Sequence, residues 1–290
     1  MVLFWSFVGF LGILFLLWLM VPLWEWLIPL ERKPDELYRA VTDDGWVLPL
    51  RRYKAPEGST RKHPVILCHG LGVNSVYMDF DDTHSLARAV RDAGFDSWVV
   101  DLRSSSDSEI RSAGGKGRLD FSFDDLVQYD VPAVMEEVFK QTGATQIHWV
   151  GQSMGGMVAL SSDPDGFLAV NPDRLLRFKS LAAMGSPTKF SKAYFPLFPL
   201  HPLLRWIPFL PTRFFTRIGV GLAPFVSFLF ARMQRPGSQT HRAFRYSCLY
   251  MFAVLPSRLL LSFVEMLKQE CLCTEEGDKL YDRRLREHKI

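Results

Sequence analysis

A serine set among glycines is the residue best suited to covalent chemistry in this 290-residue chain. Residues 151–156 read GQSMGG and contain the pattern G-x-S-x-G, directly after an apolar run at 146–151 that predicts a strand. Between a strand and a helix, this pattern forms a turn so sharp that only very small residues fit beside the serine, whose Oγ then projects above the sheet. Ser153 is therefore predicted to be a nucleophile. The alternative interpretation of the same residues is a glycine-rich packing turn.

The backbone beside Ser153 is predicted to stabilise a developing negative charge. The N–H of Met154 begins a helix and points to where an oxyanion would form, and the helix dipole adds to its effect. A second N–H is expected from Leu71, because the sequence HGLG at 69–72 follows an apolar strand predicted at 64–70. We interpret His69 as a residue that shapes this loop and not as a catalytic base.

The elements that must position these residues alternate between strand and helix. Strands are predicted at 37–42, 46–53, 64–70, 95–102, 146–151 and 180–185, and helices at 85–93, 123–142, 153–161 and 256–269. The sequence DDG at 43–45 is a hairpin signal between the first two strands. This alternation, with short connections that end in glycine, predicts an α/β fold whose mostly parallel sheet is covered by helices on both faces.

Together, the strands, the hairpin, the His-Gly step and the serine turn resemble the α/β-hydrolase superfamily. More narrowly, they resemble the lipase/esterase branch that includes the acid-lipase-like enzymes, over about Glu36 to Pro187 by motif. This chain departs from that pattern at Gln152, where relatives usually have His, and at 104–106, where three serines replace a glycine-bearing loop. The resemblance implies a serine hydrolase that cleaves a hydrophobic acyl ester.

The resemblance also implies a catalytic triad, of which only the serine is identified. In this fold the order along the chain is Ser, then Asp or Glu, then His, the last two on loops after later strands. No convincing strand is predicted after Gly185, and residues 281–290 resemble the lead-in to the next core strand of the family. The strands that would carry the acid and the histidine are thus expected to be missing. The remaining candidates are poor: His201, His241, His288, Asp278 and Asp282.

The N-terminus is predicted to be a membrane anchor over residues 1–30. The run from Val2 to Trp24 contains no charged residue. Its length is about what a helix needs to cross ~30 Å of hydrocarbon. A cleaved signal peptide is the alternative, but no Lys or Arg precedes the run and no small-residue cleavage site follows it. The basic residues that follow, Arg32, Lys33 and Arg39, predict by the positive-inside rule that the main domain faces the cytoplasm.

A strong charge asymmetry marks the segment predicted to be a hydrophobic, basic cap or lid, residues 188–270. From Arg174 to Val264 the chain has 13 Lys and Arg and no Asp or Glu, although its total net charge is only +3. Twelve aromatic residues lie between Lys189 and Arg245. One interpretation is an insertion packed over the site. The other is an interfacial lid, whose aromatic rings enter the headgroup region while its arginines meet anionic lipid.

These observations leave two functional hypotheses for a chain divided into an anchor (1–30), a hydrolase core (31–187), the cap segment (188–270) and a return segment (271–290). The first is a membrane-anchored serine hydrolase without a metal or organic cofactor, acting on a lipid or other hydrophobic ester. The second is a catalytically impaired, truncated relative that binds a lipid or a partner. A nucleic-acid partner is not expected, because the charge is nearly balanced and the sequence contains no known nucleic-acid-binding module. His84 and His148 are interpreted as structural, and Cys271 and Cys273 lack companion ligands at zinc spacing.

Overall fold

The computed structural model describes residues 1–30, 32–59, 61–81, 83–103, 105, 109–110, 119–162, 178–191, 198–222 and 240–287. The strands of its main sheet are β1 (Glu36–Val41), β2 (Trp46–Tyr53), β3 (Val65–Cys68), β4 (Ser97–Val100), β5 (Glu109–Ile110), β6 (Ile147–Gln152) and β7 (Phe178–Met184). The α-helices are α1 (Val2–Leu19), α2 (Val21–Leu27), α3 (Leu86–Asp92), α4 (Phe123–Asp125), α5 (Val131–Thr142), α6 (Met154–Ser161), α7 (Thr212–Ile218), α8 (His241–Tyr246), α9 (Ser257–Gln269) and α10 (Leu280–Glu287). Several positions singled out above lie outside the described residues: His288, Ser104, Ser106, and 192–197 and 223–239 of the cap segment.

The seven strands form one sheet in which the central strands are parallel. The order is β1-β2-β4-β3-β6-β7, and the short β5 pairs with β2. β4, β3, β6 and β7 run parallel, whereas β1 and β2 are antiparallel to their neighbours. Cys68 at the end of β3 is in register with Gly151 in β6, so these two strands end at the same edge of the sheet. Ser153 follows at that edge.

Both faces of the central sheet are covered, because alternate residues of β3 and β4 enter different apolar clusters. In β3, Ile66 packs in the cluster that contains α5 and α6, whereas Leu67 packs in the cluster that contains Ala87 of α3. Trp98 and Val99 of β4 alternate in the same way. This alternation is typical of a parallel strand buried on both sides. The predicted α/β fold, with a mostly parallel sheet between helices, is confirmed.

The segment predicted as a helix at 123–142 is helical but irregular. α4 continues into α5 through five π-helical residues, Leu126–Asp130. Asp130, at the end of this turn, is fully buried and accepts a hydrogen bond from Arg103 Nε at 2.7 Å. Arg103 also pairs with Asp44 at 2.6 Å. We attribute the π-helical turn to this buried ion pair, since an inserted residue rotates the side chains that follow it and directs Asp130 toward Arg103.

Before α9, the described part of the cap segment consists of short pieces, as its prolines lead one to expect. It includes the 3₁₀ helices Phe198–Arg205 and Gly219–Leu222, helices α7 and α8, and a π-helical turn at Ser247–Met251. Two short strands, β8 (Phe209–Leu210) and β9 (Leu255–Pro256), pair with each other and not with the main sheet. β7 is therefore at an edge of the main sheet among the described strands.

The N-terminal helices are apolar and mostly exposed. The stretch Phe4–Leu27 has a mean hydropathy of 2.3 and is 6% buried, and within the described ranges it is the one helical stretch long and apolar enough to cross a membrane. Its C-terminal part is packed: Leu14, Leu17 and Val21 join an apolar cluster with residues of the cap segment. By length and composition alone, this stretch suits either a membrane anchor or a signal sequence.

Breaking the buried ion pair of Arg103 should destabilise the fold strongly. Arg103→Met is expected to lower the free energy of unfolding by about 3–5 kcal/mol, because Asp130 would keep a buried charge without its partner. Urea unfolding of the detergent-solubilised protein, followed by tryptophan fluorescence, measures the loss. Arg283→Met is the matched control, since the ion pair of Arg283 with Asp278 is exposed and contributes at most about 1 kcal/mol. Equal losses in the two variants would contradict the prediction.

Candidate active site

Ser153 occupies the turn between β6 and α6 with an unusual backbone conformation. It lies between Gln152, the last residue of β6, and Met154, the first residue of α6. Its φ is 49° and its ψ is −116°, and among the described residues only Glu270 is another non-glycine with positive φ. Such a conformation costs about 1–3 kcal/mol and persists only where the surrounding structure imposes it. Ser153 thus lies in a strand-to-helix turn with its side chain half-buried, and its role as a nucleophile stays a prediction.

Two glycines make this turn possible by allowing backbone segments to touch. A Cβ on Gly151 would overlap the backbone of Gly155, one turn into the helix. A Cβ on Gly155 would overlap the carbonyl oxygen of Cys68 and lie 2.6 Å from that of His69. The first turn of α6 thus packs directly on the end of β3. Trp149 of β6 stabilises this contact, since its indole N–H donates to the carbonyl oxygen of Gly155 at 2.9 Å.

The loops that carry the two expected oxyanion donors are adjacent. Leu71 and Met154 each lie three residues beyond the register pair of Cys68 and Gly151. A Cβ on Gly70 would overlap the side-chain oxygen of Gln152, so the loop after β3 touches the end of β6. The structure therefore brings the loop that carries Leu71 into contact with the end of β6 and the first turn of α6, which begins at Met154. Their roles as N–H donors to an oxyanion stay a prediction.

His69 shapes the loop after β3, as the sequence indicated. Its ring is fully buried; Nδ1 lies 2.9 Å from the carbonyl oxygen of Gly70, and Nε2 accepts a hydrogen bond from the N–H of Leu102 at 3.2 Å. Both nitrogens are therefore engaged if Nδ1 carries the proton. Burial lowers the pKa of His69 below its usual value, which favours this neutral form. A histidine held in this way does not serve as the base for Ser153.

Asp101, just after β4, fixes Ser75, which lies further along the loop that follows β3. Its carboxylate accepts hydrogen bonds from Ser75, from the backbone N–H at 2.7 Å and from Oγ at 2.6 Å, and it also contacts Arg51. Burial alone would raise the pKa of Asp101, but the charges of Arg51 and Arg32 outweigh that effect and lower the pKa to about 2. Asp101 is thus ionised at neutral pH and acts as a buried anchor for the loop.

The other candidate acids and histidines are held elsewhere. His84 Nδ1 is 3.0 Å from Asp81, and His148 Nδ1 is 2.7 Å from Ser180 near the start of β6, at the opposite end from Ser153. His201 belongs to a 3₁₀ helix of the cap segment, and His241 begins α8. Asp278 and Asp282 form ion pairs with arginines of their own segment, Arg283 and Arg286.

Some polar residues around the site were missed by the sequence reasoning. Ser186, just after β7, has a buried Oγ with no hydrogen-bond partner among the residues that the structure describes, and a Cβ on Gly156 of α6 would overlap it. Asn74 caps the 3₁₀ helix Ser75–Tyr77, and an asparagine before a serine is a signal that could have identified it. Tyr250 bonds to a carbonyl 222 residues away in the sequence, a contact for which no local signal exists.

Comparisons with known proteins place this arrangement in context. The family model for the alpha/beta hydrolase fold matches residues 63–218. A tear acid lipase-like protein of Mesocricetus auratus is 38% identical over 138 residues, which are 44% of this chain and 34% of that protein. Gastric triacylglycerol lipase of Homo sapiens is 33% identical over 171 residues, which are 55% of this chain and 42% of the lipase.

Solved structures show a more distant likeness. The crystal structure of an alpha/beta hydrolase from Novosphingobium aromaticivorans has a TM-score of 0.47 and 16% identity, over 79% of this chain and 71% of that chain. This chain spans less than half the length of the two lipase relatives that it matches.

A side chain at Gly155 should disrupt the contact between α6 and β3. Gly155→Ala is expected to lower the free energy of unfolding by about 1–3 kcal/mol, because the new methyl group meets backbone that has no room to move. Gly219→Ala is the control: no atom of the described residues lies within 4 Å of a Cβ at this position, and alanine in place of a helical glycine leaves the free energy of unfolding unchanged or raises it by up to about 1 kcal/mol. Thermal and urea unfolding of both variants measure the difference. A Gly155→Ala protein as stable as the control would show that the two backbones are not in contact.

Proposed function

This chain belongs to the α/β hydrolase fold family, and on that premise we propose that it is a serine ester hydrolase of the lipase type. The observation that carries the proposal is the strained turn of Ser153 between β6 and α6, packed against the end of β3. In hydrolases of this fold, the nucleophilic serine sits on such a turn. The resemblance to the lipase/esterase branch is supported by relatives that are 38% and 33% identical over their matched regions.

In the proposed reaction, Ser153 Oγ attacks the carbonyl carbon of an ester. The N–H groups of Met154 and Leu71 stabilise the oxyanion, the alcohol leaves, and water then releases the acid from the acyl-enzyme. This chemistry needs a histidine base and an acid but no metal or organic cofactor. No residue is assigned to either role, since the described histidines at 69, 84 and 148 are held by other partners.

We propose a hydrophobic acyl ester as the substrate class. The relatives are an acid lipase-like protein and a triacylglycerol lipase, and the cap segment of this chain is rich in aromatic residues. Trp206 is 86% exposed and Phe215 is 55% exposed, with Phe214 also on the surface. Exposed aromatic rings beside arginines such as Arg213 suit a lipid surface, where each basic residue adds about 1 kcal/mol of attraction to anionic headgroups.

The N-terminal helices are proposed to anchor the protein in a membrane. α1 exposes apolar side chains along most of its length, as a lipid-facing helix does. α2 packs against the cap segment, and Glu25 forms an ion pair with Arg217. These contacts favour a retained anchor over a cleaved signal, because cleavage would remove part of a packed cluster. That the main domain faces the cytoplasm stays a prediction.

A second candidate function is that of a catalytically impaired relative which binds a lipid or a partner. The observation that favours it is the state of two candidate acids and of the buried histidine in the loop after β3. His69 has both ring nitrogens engaged, and the acids Asp278 and Asp282 are paired with arginines. A serine without its base keeps oxyanion stabilisation and binding but loses activation, which lowers the rate by several orders of magnitude.

Labelling with a fluorophosphonate probe separates these two functions. The detergent-solubilised wild type should label, and Ser153→Ala should not, because the probe reacts with an activated serine. Ser180→Ala, which alters an exposed serine of β7, is the control and should label like the wild type. Thermal melts must show that all three proteins are folded. A folded wild type that does not label would support the second function, and labelling that persists in Ser153→Ala would remove Ser153 as the nucleophile.

Shortening α1 tests the anchor without disturbing the packed residues. Deleting residues 2–13 retains Leu14, Leu17 and Val21 but leaves an apolar stretch below the ~17–25 residues that a membrane-spanning helix needs. The variant should move from the pellet to the supernatant on carbonate extraction of membranes, whereas the full chain should stay in the pellet. Intact mass of the membrane-bound wild type checks the signal-peptide alternative: loss of about the first 30 residues, the length typical of a signal peptide, would refute the anchor.

A further inference from the structure

The loop that carries Leu71 is held in place by the cap segment. The carbonyl oxygen of Gly72 accepts a hydrogen bond from the N–H of Ala253 at 2.9 Å, and the N–H of Asn74 donates to the carbonyl oxygen of Met251 at 3.0 Å. Between these bonds, residues 73 and 252 form an antiparallel bridge. The backbone just after Leu71 is thus paired with residues 251–253 as in a short piece of sheet. The position of the Leu71 N–H depends on this pairing.

Tyr250, the residue just before this pairing, connects it to the N-terminal helices. Its backbone carbonyl oxygen accepts a hydrogen bond from Asn74 Nδ2 at 2.7 Å. Its hydroxyl donates to the carbonyl oxygen of Ile28, just after α2, at 2.8 Å. Burial, with a smaller effect of the charge of Glu25, raises the pKa of Tyr250, so the hydroxyl keeps its proton at neutral pH and remains a donor.

A second connection reaches the same loop from the N-terminal segment. Arg32, four residues after Ile28, donates from Nη2 to Ser75 Oγ at 2.6 Å. Ser75 follows Asn74 directly and is fixed in turn by Asp101. The loop therefore has two links to the N-terminal segment, one at Asn74 through Tyr250 and one at Ser75 from Arg32.

α2 is packed firmly enough against the cap segment to transmit its position. Val21 and Ile28 are buried in one apolar cluster with residues of the cap segment, namely Ile218, Val220, Phe244, Tyr246, Cys248 and Leu249. The guanidinium group of Arg245 lies 4.6 Å from the ring centre of Trp24. Apolar packing, a cation–π contact and the ion pair of Glu25 with Arg217 thus act together.

We propose that α2 is a positioning element of the active site, and that Tyr250 transmits its position to the loop of Leu71. The proposal rests on the proposed function, in which the Leu71 N–H is an oxyanion donor. Oxyanion stabilisation depends on donors within about 2.7–3.1 Å of the developing charge, so a small displacement of the loop weakens it. The N-terminal segment then helps to position the active-site loop in addition to its proposed role as a membrane anchor. Tyr250 itself is not a catalytic residue, since it acts through Asn74 and Gly72.

The test is Tyr250→Phe in the full chain, solubilised in detergent. This change removes only the bonds that the hydroxyl donates to the carbonyl oxygens of Ile28 and, more weakly, Glu25, because the carbonyl of residue 250 still accepts from Asn74. We expect kcat for a short p-nitrophenyl ester to fall about tenfold, less than the about 10²–10³-fold loss from removing an oxyanion donor outright, with KM nearly unchanged. The rate of fluorophosphonate labelling should fall in parallel. Tyr77→Phe, at an exposed tyrosine of the 3₁₀ helix next to the loop, is the matched control and should leave both rates unchanged.

Hydrogen exchange gives a readout that does not require activity. Tyr250→Phe should speed exchange of the amides at 71–76 and leave those of β6 unchanged, whereas the control should alter neither. Unchanged kcat together with unchanged exchange at 71–76 would overturn the proposal. If the wild type is folded but neither hydrolyses nor labels, the proposed function fails, and the exchange rates alone decide whether α2 positions this loop.

Discussion

Backbone contact between α6 and the end of β3 is the constraint on which the rest of the site depends. Gly155 rests on the carbonyl groups of Cys68 and His69, and no side chain fits between them. This contact holds Ser153 in a conformation that non-glycine residues rarely adopt. It also brings the start of α6 beside the loop after β3. A fold that separated these two segments by the width of one methyl group would lose both the turn and the adjacent N–H groups.

Buried charge fixes the parts of the fold that apolar packing leaves free. Asp101 holds the loop after β3 through Ser75, and Arg103 joins Asp44 to Asp130 across the other side of β4. Asp101, Arg103 and Asp130 are buried, whereas Asp44 is partly exposed, so the buried charges must keep their partners. The two networks begin at neighbouring residues of one strand end. That strand end therefore organises the loop beside Ser153 and the irregular helix behind it.

The sequence allowed the central sheet and the serine turn to be predicted, because both leave local signals. Apolar runs that end in glycine marked β3 and β6, and G-x-S-x-G marked Ser153. The π-helical turn at Leu126–Asp130 left no such signal, since the ion pair to which we attribute it joins Asp130 to Arg103, 27 residues earlier. The bonds of Tyr250 to Asn74 and Ile28 span 176 and 222 residues, which no local pattern encodes. A base for Ser153 was not found in the sequence, and three of the described histidines, His69, His84 and His148, are held by other partners.

The connection between α1 and α2 has a kinetic consequence. Met20 alone separates the two helices, and α2 is docked on the cap segment. With α1 in a bilayer, so short a tether leaves the domain little freedom to rise from the surface. A hydrolase held in this way would meet an ester in the membrane by diffusion in two dimensions, and its rate would follow the mole fraction of ester in the membrane rather than the bulk concentration. Diluting the ester with inert lipid would slow such an enzyme, whereas diluting the vesicles would not.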